Sequence, residues 1–193
     1  TKNIFLIKHP TYNHLITKNR FKDKFKYDFI ILGRHSEFFY RDNFYSSFIN
    51  GCFRVSYNRP VRVLMKESSI KNNNAGLEIS SYKYPLSKAK YWELIEMSKF
   101  ILIPPQAGNR ITASGVHIDA MTAHKPVLAP INGTFRENVP VSSQDFLYNS
   151  YNLDQCIEKA LSLSPEEYLK ISNDVLELSK KYEVTEDWIY QNV

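Results

Sequence analysis

Glycine is scarce in this chain, with six in 193 residues, and cysteine is scarcer, with two. So few glycines leave no Gly-x-Gly-x-x-Gly loop and no Walker-type phosphate loop, which argues against a typical dinucleotide dehydrogenase and a P-loop enzyme. Cys52 and Cys156 match no metal or redox spacing, and both read as reduced thiols of a cytosolic protein. His9 and His14 stand five apart across a proline with no third ligand nearby, so no metal site is expected. No run approaches about 18 uncharged apolar residues, so no membrane-spanning helix is expected. Thr1, Lys2 and Asn3 lead straight into an apolar segment, which is not the layout of a signal peptide. An initiator methionine is also absent, and the chain reads as an excised piece of something longer.

What is present suits one domain with a sizeable core: 43% hydrophobic residues, 23% charged residues and a length ordinary for a single domain. The net charge is +5, and the basic excess lies mainly in the first half. Lys18, Arg20, Lys22, Lys24, Lys26, Arg34, Arg41, Arg54, Arg59 and Arg62 carry it. A basic half suits an anionic partner, whether a nucleotide phosphate, a nucleic acid or an anionic membrane face. The plainer reading of Lys18 to Lys26 is a solvated lysine face.

Along the chain, strand-like runs alternate with helical periodicity. Asn3 to Lys8 reads as a short strand. Tyr27 to Gly33 is a buried strand ending in glycine. A helix is predicted from Arg41 to about Tyr57, with Phe44, Phe48, Cys52 and Val55 facing inward. Val61 to Lys66 and Leu77 to Tyr82 read as strands, separated by a loop over 68–76 with three consecutive asparagines. A helix opens at Pro85 and Ser87 and runs to about Lys99, with Ala89, Trp92 and Ile95 at helical spacing. After a strand at Phe100 to Ile103 comes a polar loop, then a helix capped by Thr112 or Ser114 that runs to about Ala123. Pro126 ends that helix and Val127 to Ala129 begins the next strand. A turn is expected at 132–134. Asn152 to Gln155 and Ser164 to Glu167 are two capping-box patterns, the second with Pro165 at the first helical position. Ile171, Val175, Leu178 and Tyr182 form one helical stripe, and Thr185 caps a last helix carrying Trp188. This alternation predicts an α/β fold, a parallel sheet with helices on both faces and further helices at the C-terminal end.

In such a sheet, ligands sit outside the carboxyl ends of the strands, against helix N-termini. Two loops qualify. One follows Gly33 and carries Arg34, with Arg41 a little further on. The other carries Arg110 and leads into Thr112, Ser114 and Gly115, a helix start with hydroxyls and a preceding arginine suited to an anion such as phosphate. Asp119, inside an otherwise apolar helix, is a carboxylate with few innocent explanations. His117 does not share its helix face and reads as a packed or surface histidine. Lys66, ending a strand, suits a phosphate contact or solvent equally.

Taken together, Gly33-Arg34 with Arg41, Ser114-Gly115 with Asp119-Ala120-Met121, and Lys125-Pro126-Val127 resemble a known series. They are similar to the donor-binding, carboxy-terminal domain of GT-B-fold glycosyltransferases of the family-4-like kind. The resemblance covers residues 27 to 193, best between 98 and 139. It implies a single Rossmann-like domain over 1–193, one half of a GT-B fold whose acceptor-binding N-terminal domain is missing. It implies a nucleotide-diphosphate-sugar donor, no cofactor and no metal, and a retaining transfer to a glycan or lipid-linked acceptor. The implied setting is polysaccharide biosynthesis in the cytoplasm, with peripheral contact at the inner membrane face. Arg34 and Arg41 would sit on the donor diphosphate, Ser114 and Gly115 at its phosphates, and Asp119 on the ribose hydroxyls. Glu137, after a Gly-Thr pair, falls where the family often has a glutamate. Ile111 stands where the motif's first glutamate falls. His124 replaces a glycine at a position often needing a positive φ.

Two other readings remain at this stage. One is a non-enzymatic nucleic-acid module, in which Phe21, Phe25 and Tyr27 interleave with the lysines of 18–26 as single-strand binders require. No recognised RNA-binding motif accompanies them, and no nucleic acid is expected as partner. The other is a sugar-nucleotide epimerase of the same fold, which would also need a second domain.

Overall fold

The computed structural model describes residues 25–40, 43–55, 59–67, 76–105, 115–131 and 133–182. The strand expected at Asn3, the His9/His14 pair, the lysines from Lys18 to Lys24, Arg41, the asparagine loop and the Trp188 helix lie outside them.

Among the described residues, six strands form one sheet in which every pairing is parallel: β1 (Tyr27–Ile30), β2 (Val61–Lys66), β3 (Leu77–Tyr82), β4 (Ser98–Leu102), β5 (Val127–Pro130) and β6 (Leu147–Tyr148). Their order across the sheet is β3-β2-β1-β4-β5-β6, that of a doubly wound, Rossmann-like fold. The central strands are apolar on both faces because both faces are covered. Phe29, Ile31, Phe100 and Leu102 enter one core, and Ile30, Leu32, Ile101 and Ile103 enter the other. Alternate residues of one strand thus feed opposite layers, the two-residue period expected of a strand.

Helix α1 (Phe44–Val55), α5 (Leu153–Ser162) and the first half of α6 (Pro165–Lys180) close the first layer. Helix α2 (Lys88–Glu96), α3 (Gly115–Thr122) and α4 (Gly133–Asn138) close the second. Helices α3 and α6 meet through Ile118, Met121 and Val175. The close approach of α1 to α5 depends on Gly51, where a Cβ would lie 2.9 Å from the Asp154 Cα. Phe44, Phe48 and Cys52 are buried, whereas Val55 is half-buried.

Four local expectations change. First, α2 ends at Glu96 and β4 already begins at Ser98. Second, the buried positions on α2 are Leu94 and Ile95, with Tyr91 and Trp92 packed beside them, while Ala89 is exposed. The register of that face is set by its largest apolar side chains, not by alanine. Third, Gly133 and Thr134, expected in a turn, open α4. Its Phe135 is buried against the His117 ring, 5.1 Å between centroids. Fourth, the first capping box does not form. The Asn152 carboxamide oxygen accepts instead from the Asn149 N–H at 2.7 Å, so the side chain braces the preceding turn. The second box forms in full: Glu167 N–H donates to Ser164 Oγ at 3.2 Å, and Ser164 N–H donates to Glu167 Oε2 at 2.8 Å.

Candidate functional site

The chain leaves β1 towards β2 on one side and β4 towards β5 on the other. Between β1 and β4 the direction of winding reverses, and such a sheet opens a crevice there, at the carboxyl ends of the two strands. The pairing Ile30 with Ile101 puts those ends side by side. The loop carrying Gly33 follows one strand, and the loop leading to Gly115 follows the other. Among the described residues, the Gly33 turn and the helix beginning at Gly115 are the elements that follow these strand ends.

Two tyrosines that the sequence reading passed over build the rim of the crevice. Tyr82, the last residue of β3, reaches across β2, and its hydroxyl donates to the Ile31 carbonyl at 3.1 Å. The same oxygen accepts from the Gly33 N–H at 2.9 Å. Tyr148, the last residue of β6, reaches across β5 and donates to the Ile103 carbonyl at 2.7 Å. Each outer strand thus ends in a buried tyrosine that ties down the backbone just past a central strand. Burial raises the Tyr148 pKa far above its ordinary value, so it stays a neutral donor.

Gly33 has φ +54 and begins a 3-10 turn over Gly33–Phe38. A Cβ there would meet nothing within 4 Å, so conformation and not space calls for glycine. Because its N–H is spent on Tyr82, Gly33 shapes the loop and does not offer its amide to a ligand. Arg34 lies in this turn. His35 is buried beside it, and desolvation lowers its pKa.

Asp119 is half-buried on the second turn of α3. Its Oδ2 accepts from the Tyr91 hydroxyl of α2 at 2.5 Å. Burial raises the Tyr91 pKa most, and the Asp119 carboxylate and then Tyr82 raise it further. Tyr82 thus holds the Gly33 turn, and Tyr91 of α2 holds Asp119 of α3. A carboxylate can accept about four hydrogen bonds, so the bond from Tyr91 does not exhaust it. Gly115 begins α3, is exposed, and has nothing within 4 Å of where its Cβ would be, which leaves its backbone open to close approach.

The remaining candidates fall elsewhere. Arg41, Arg110, Thr112 and Ser114 lie outside the described residues. Glu137 is exposed in the last turn of α4. Lys66 lies 3.6 Å from Glu37 of the Gly33 turn and 5.6 Å from the Tyr84 ring centroid, so a carboxylate already meets its charge. His117 is a packing residue whose pKa burial lowers to about 4, partly offset by a hydrogen bond with the Asn138 backbone. His124 takes φ +53, and its N–H donates to the Met121 carbonyl while that of Lys125 donates to Ala120. These two bonds are a Schellman ending, the motif that usually recruits glycine. Ser172 Oγ holds the His124 carbonyl at 2.7 Å. The Lys125 ammonium is buried, donates to the Glu96 carbonyl at 3.1 Å, and lies 4.4 Å from the Phe25 ring centroid. Desolvation lowers its pKa to about 7, against a smaller opposing pull from Glu96. Phe25 is half-buried and meets the Tyr168 ring edge-on at 5.1 Å between centroids, and Tyr27 is buried.

Among the described residues no helix is long and apolar enough to cross a membrane. A comparison with protein-family models finds no match. Comparison with curated proteins finds none either. Among solved structures, the chain is similar to the N-terminal domain of trehalose-6-phosphate phosphatase from Candida albicans, at 13% identity and a TM-score of 0.49. The match covers 86% of this chain and 41% of that one, and a likeness of this size carries no argument about activity.

Proposed function

We propose that this chain is the donor-binding domain of a glycosyltransferase and takes a nucleotide-diphosphate sugar in the crevice between β1 and β4. The observation that carries the reading is the adjacency of β1 and β4 at the reversal point of the described parallel sheet, with the Gly33 turn after β1 and, after β4, a helix that begins at Gly115 and carries Asp119 in its second turn. A nucleotide laid across such a crevice puts its phosphates against a helix N-terminus and its ribose near an acidic side chain. Arg34 and Arg41, on the opposite loop, would neutralise charge that grows on the leaving diphosphate. Two guanidiniums and the amide end of α3 can do this without a metal.

The acceptor would bind on a second domain, with transfer in the cleft between the two. The isolated 193-residue chain should therefore bind donor and transfer almost no sugar. The test is a calorimetric panel of UDP, GDP and ADP on the chain and on Asp119→Ala. Binding of one diphosphate, weakened at least tenfold by the substitution (about 1.4 kcal/mol), supports the reading. No binding of any of the three overturns it.

A further inference from the structure

A second concavity lies away from the crevice. A cleft of about 370 Å³ opens between α1 and the start of α5. Ser47, Asn50 and Arg54 line it from one face of α1, spaced three and four residues apart. Asp154 lines it from the first turn of α5. Two aromatics stand at it with unusual exposure, Tyr151 at 89% and Phe53 at 47%. Single exposed apolar residues are normal on a protein surface, but two large rings at one polar cleft form a pattern that needs a reason.

The charge at the cleft is matched. Arg54 Nη1 lies 2.8 Å from Asp154 Oδ2, and Asp154 Oδ1 accepts from the Gln155 N–H at 3.0 Å. A phosphate would have to displace Asp154 from Arg54 and approach a carboxylate, so an anionic ligand is disfavoured here. What suits the lining is an uncharged molecule with an apolar face and an edge rich in hydroxyls. A pyranose ring has both: its C–H face packs on an aromatic ring, and its vicinal hydroxyls bond pairwise to planar groups. Asn50 and the Arg54–Asp154 pair supply those planar donors and acceptors, and the volume lies in the range of small-ligand sites. Gly51 keeps the two helices close enough to hold this arrangement, through its approach to the Asp154 backbone.

We propose that the α1–α5 cleft is a binding site for a neutral saccharide unit, separate from the β1/β4 crevice and independent of what that crevice binds. Titration of the isotope-labelled chain with maltose, cellobiose and chitobiose, followed by amide resonances, tests it. At least one disaccharide should shift the resonances of 47–54 and 150–155 saturably, with Kd in the range of about 0.1–5 mM. Tyr151→Ala, which removes an exposed ring and leaves the core intact, should weaken that binding about tenfold or more. Asn50→Ala should weaken it in the same direction, and neither variant should change the thermal midpoint or the affinity for nucleoside diphosphates. Three outcomes overturn the proposal: no saturable shift with any of the three sugars, shifts indifferent to both substitutions, or UDP occupying this cleft in preference to them.

Discussion

The bond between Tyr91 and Asp119 allows a sharp test, because it gives Asp119 an occupation other than binding nucleotide. If Asp119 is only a strut between α2 and α3, removing either partner should cost stability and nothing else. If it also reads the ribose, the two substitutions should separate. Tyr91→Phe deletes one charge-assisted hydrogen bond of 2.5 Å at a half-buried carboxylate. Bonds to charged groups contribute about 1.5–3 kcal/mol, and partial exposure puts the expected loss towards the lower end. Urea unfolding of wild type, Tyr91→Phe and Asp119→Asn should therefore show losses of about 1–2 kcal/mol for each variant, with unchanged slope. Calorimetry with the diphosphate that binds should show Tyr91→Phe within about threefold of wild type. Asp119→Asn should weaken binding at least about tenfold, since the amide loses the charge and offers one acceptor oxygen where the carboxylate offers two. Equal losses of stability with unchanged nucleotide affinity in both variants would refute the ribose assignment and leave Asp119 as a helix–helix contact. Parallel losses of affinity would show that Tyr91 orients the carboxylate.

Three further outcomes follow from the packing and the buried charges. Gly51→Ala gains about 1 kcal/mol of helix propensity but drives a methyl to 2.9 Å from the Asp154 Cα and 3.1 Å from its carbonyl oxygen. Overpacking against backbone costs about 1–3 kcal/mol or more, so the variant should unfold at lower urea than wild type. Arg59→Ala takes two guanidinium bonds of 2.6 and 2.7 Å from Asp28, which is 2% exposed, and leaves it the Arg62 N–H at 2.8 Å and the Arg62 Nε at 3.9 Å. Leaving a buried charge uncompensated costs about 3–5 kcal/mol; the exposed arginine and the remaining Arg62 contacts put the expectation below that, at about 2 kcal/mol, read by urea unfolding. His117 has a folded pKa of about 4 against an ordinary 6.5, so the unfolded chain binds more protons between those values. Stability should rise with pH across that window and fall as acid is added, by up to about 3 kcal/mol. His117→Gln should remove that part of the slope, and identical pH profiles for the two proteins would count against it.

The strands and most helices were legible because both central strands had to be apolar on two faces, and because Ser164, Pro165 and Glu167 spell a helix start that nothing downstream contests. Strand order was not legible. Alternation predicts parallel neighbours, but only the fold puts β4 beside β1, across nearly seventy residues of intervening chain. Where local signals misled, a tertiary partner won. Asn152 had the chemistry of a cap, yet the Asn149 amide is a competing donor. Phe135 drew a Gly-Thr segment into helix because a buried ring against His117 outweighs a weak turn signal.

The crevice shows a different limit. Arginines, glycines and a carboxylate stand out in a sequence because their chemistry is conspicuous, and they pointed to the segments that follow β1 and β4. The groups that hold those loops are tyrosines at strand ends, and a terminal tyrosine reads as ordinary β-strand composition. Their role exists only across strands: Tyr82 is silent until β3 lies two positions from β1, and Tyr148 until β6 lies two positions from β4. The same geometry changes the reading of Gly33. The sequence marks Gly33 as a position of the ligand loop; in the fold Tyr82 takes its N–H, and φ +54 accounts for the glycine. In the proposed site, anion recognition after β1 would therefore fall to side chains and not to the Gly33 amide. Cationic side chains supplied by one loop would there complement the amide end of α3, a division of labour that suits a leaving group whose negative charge grows during transfer.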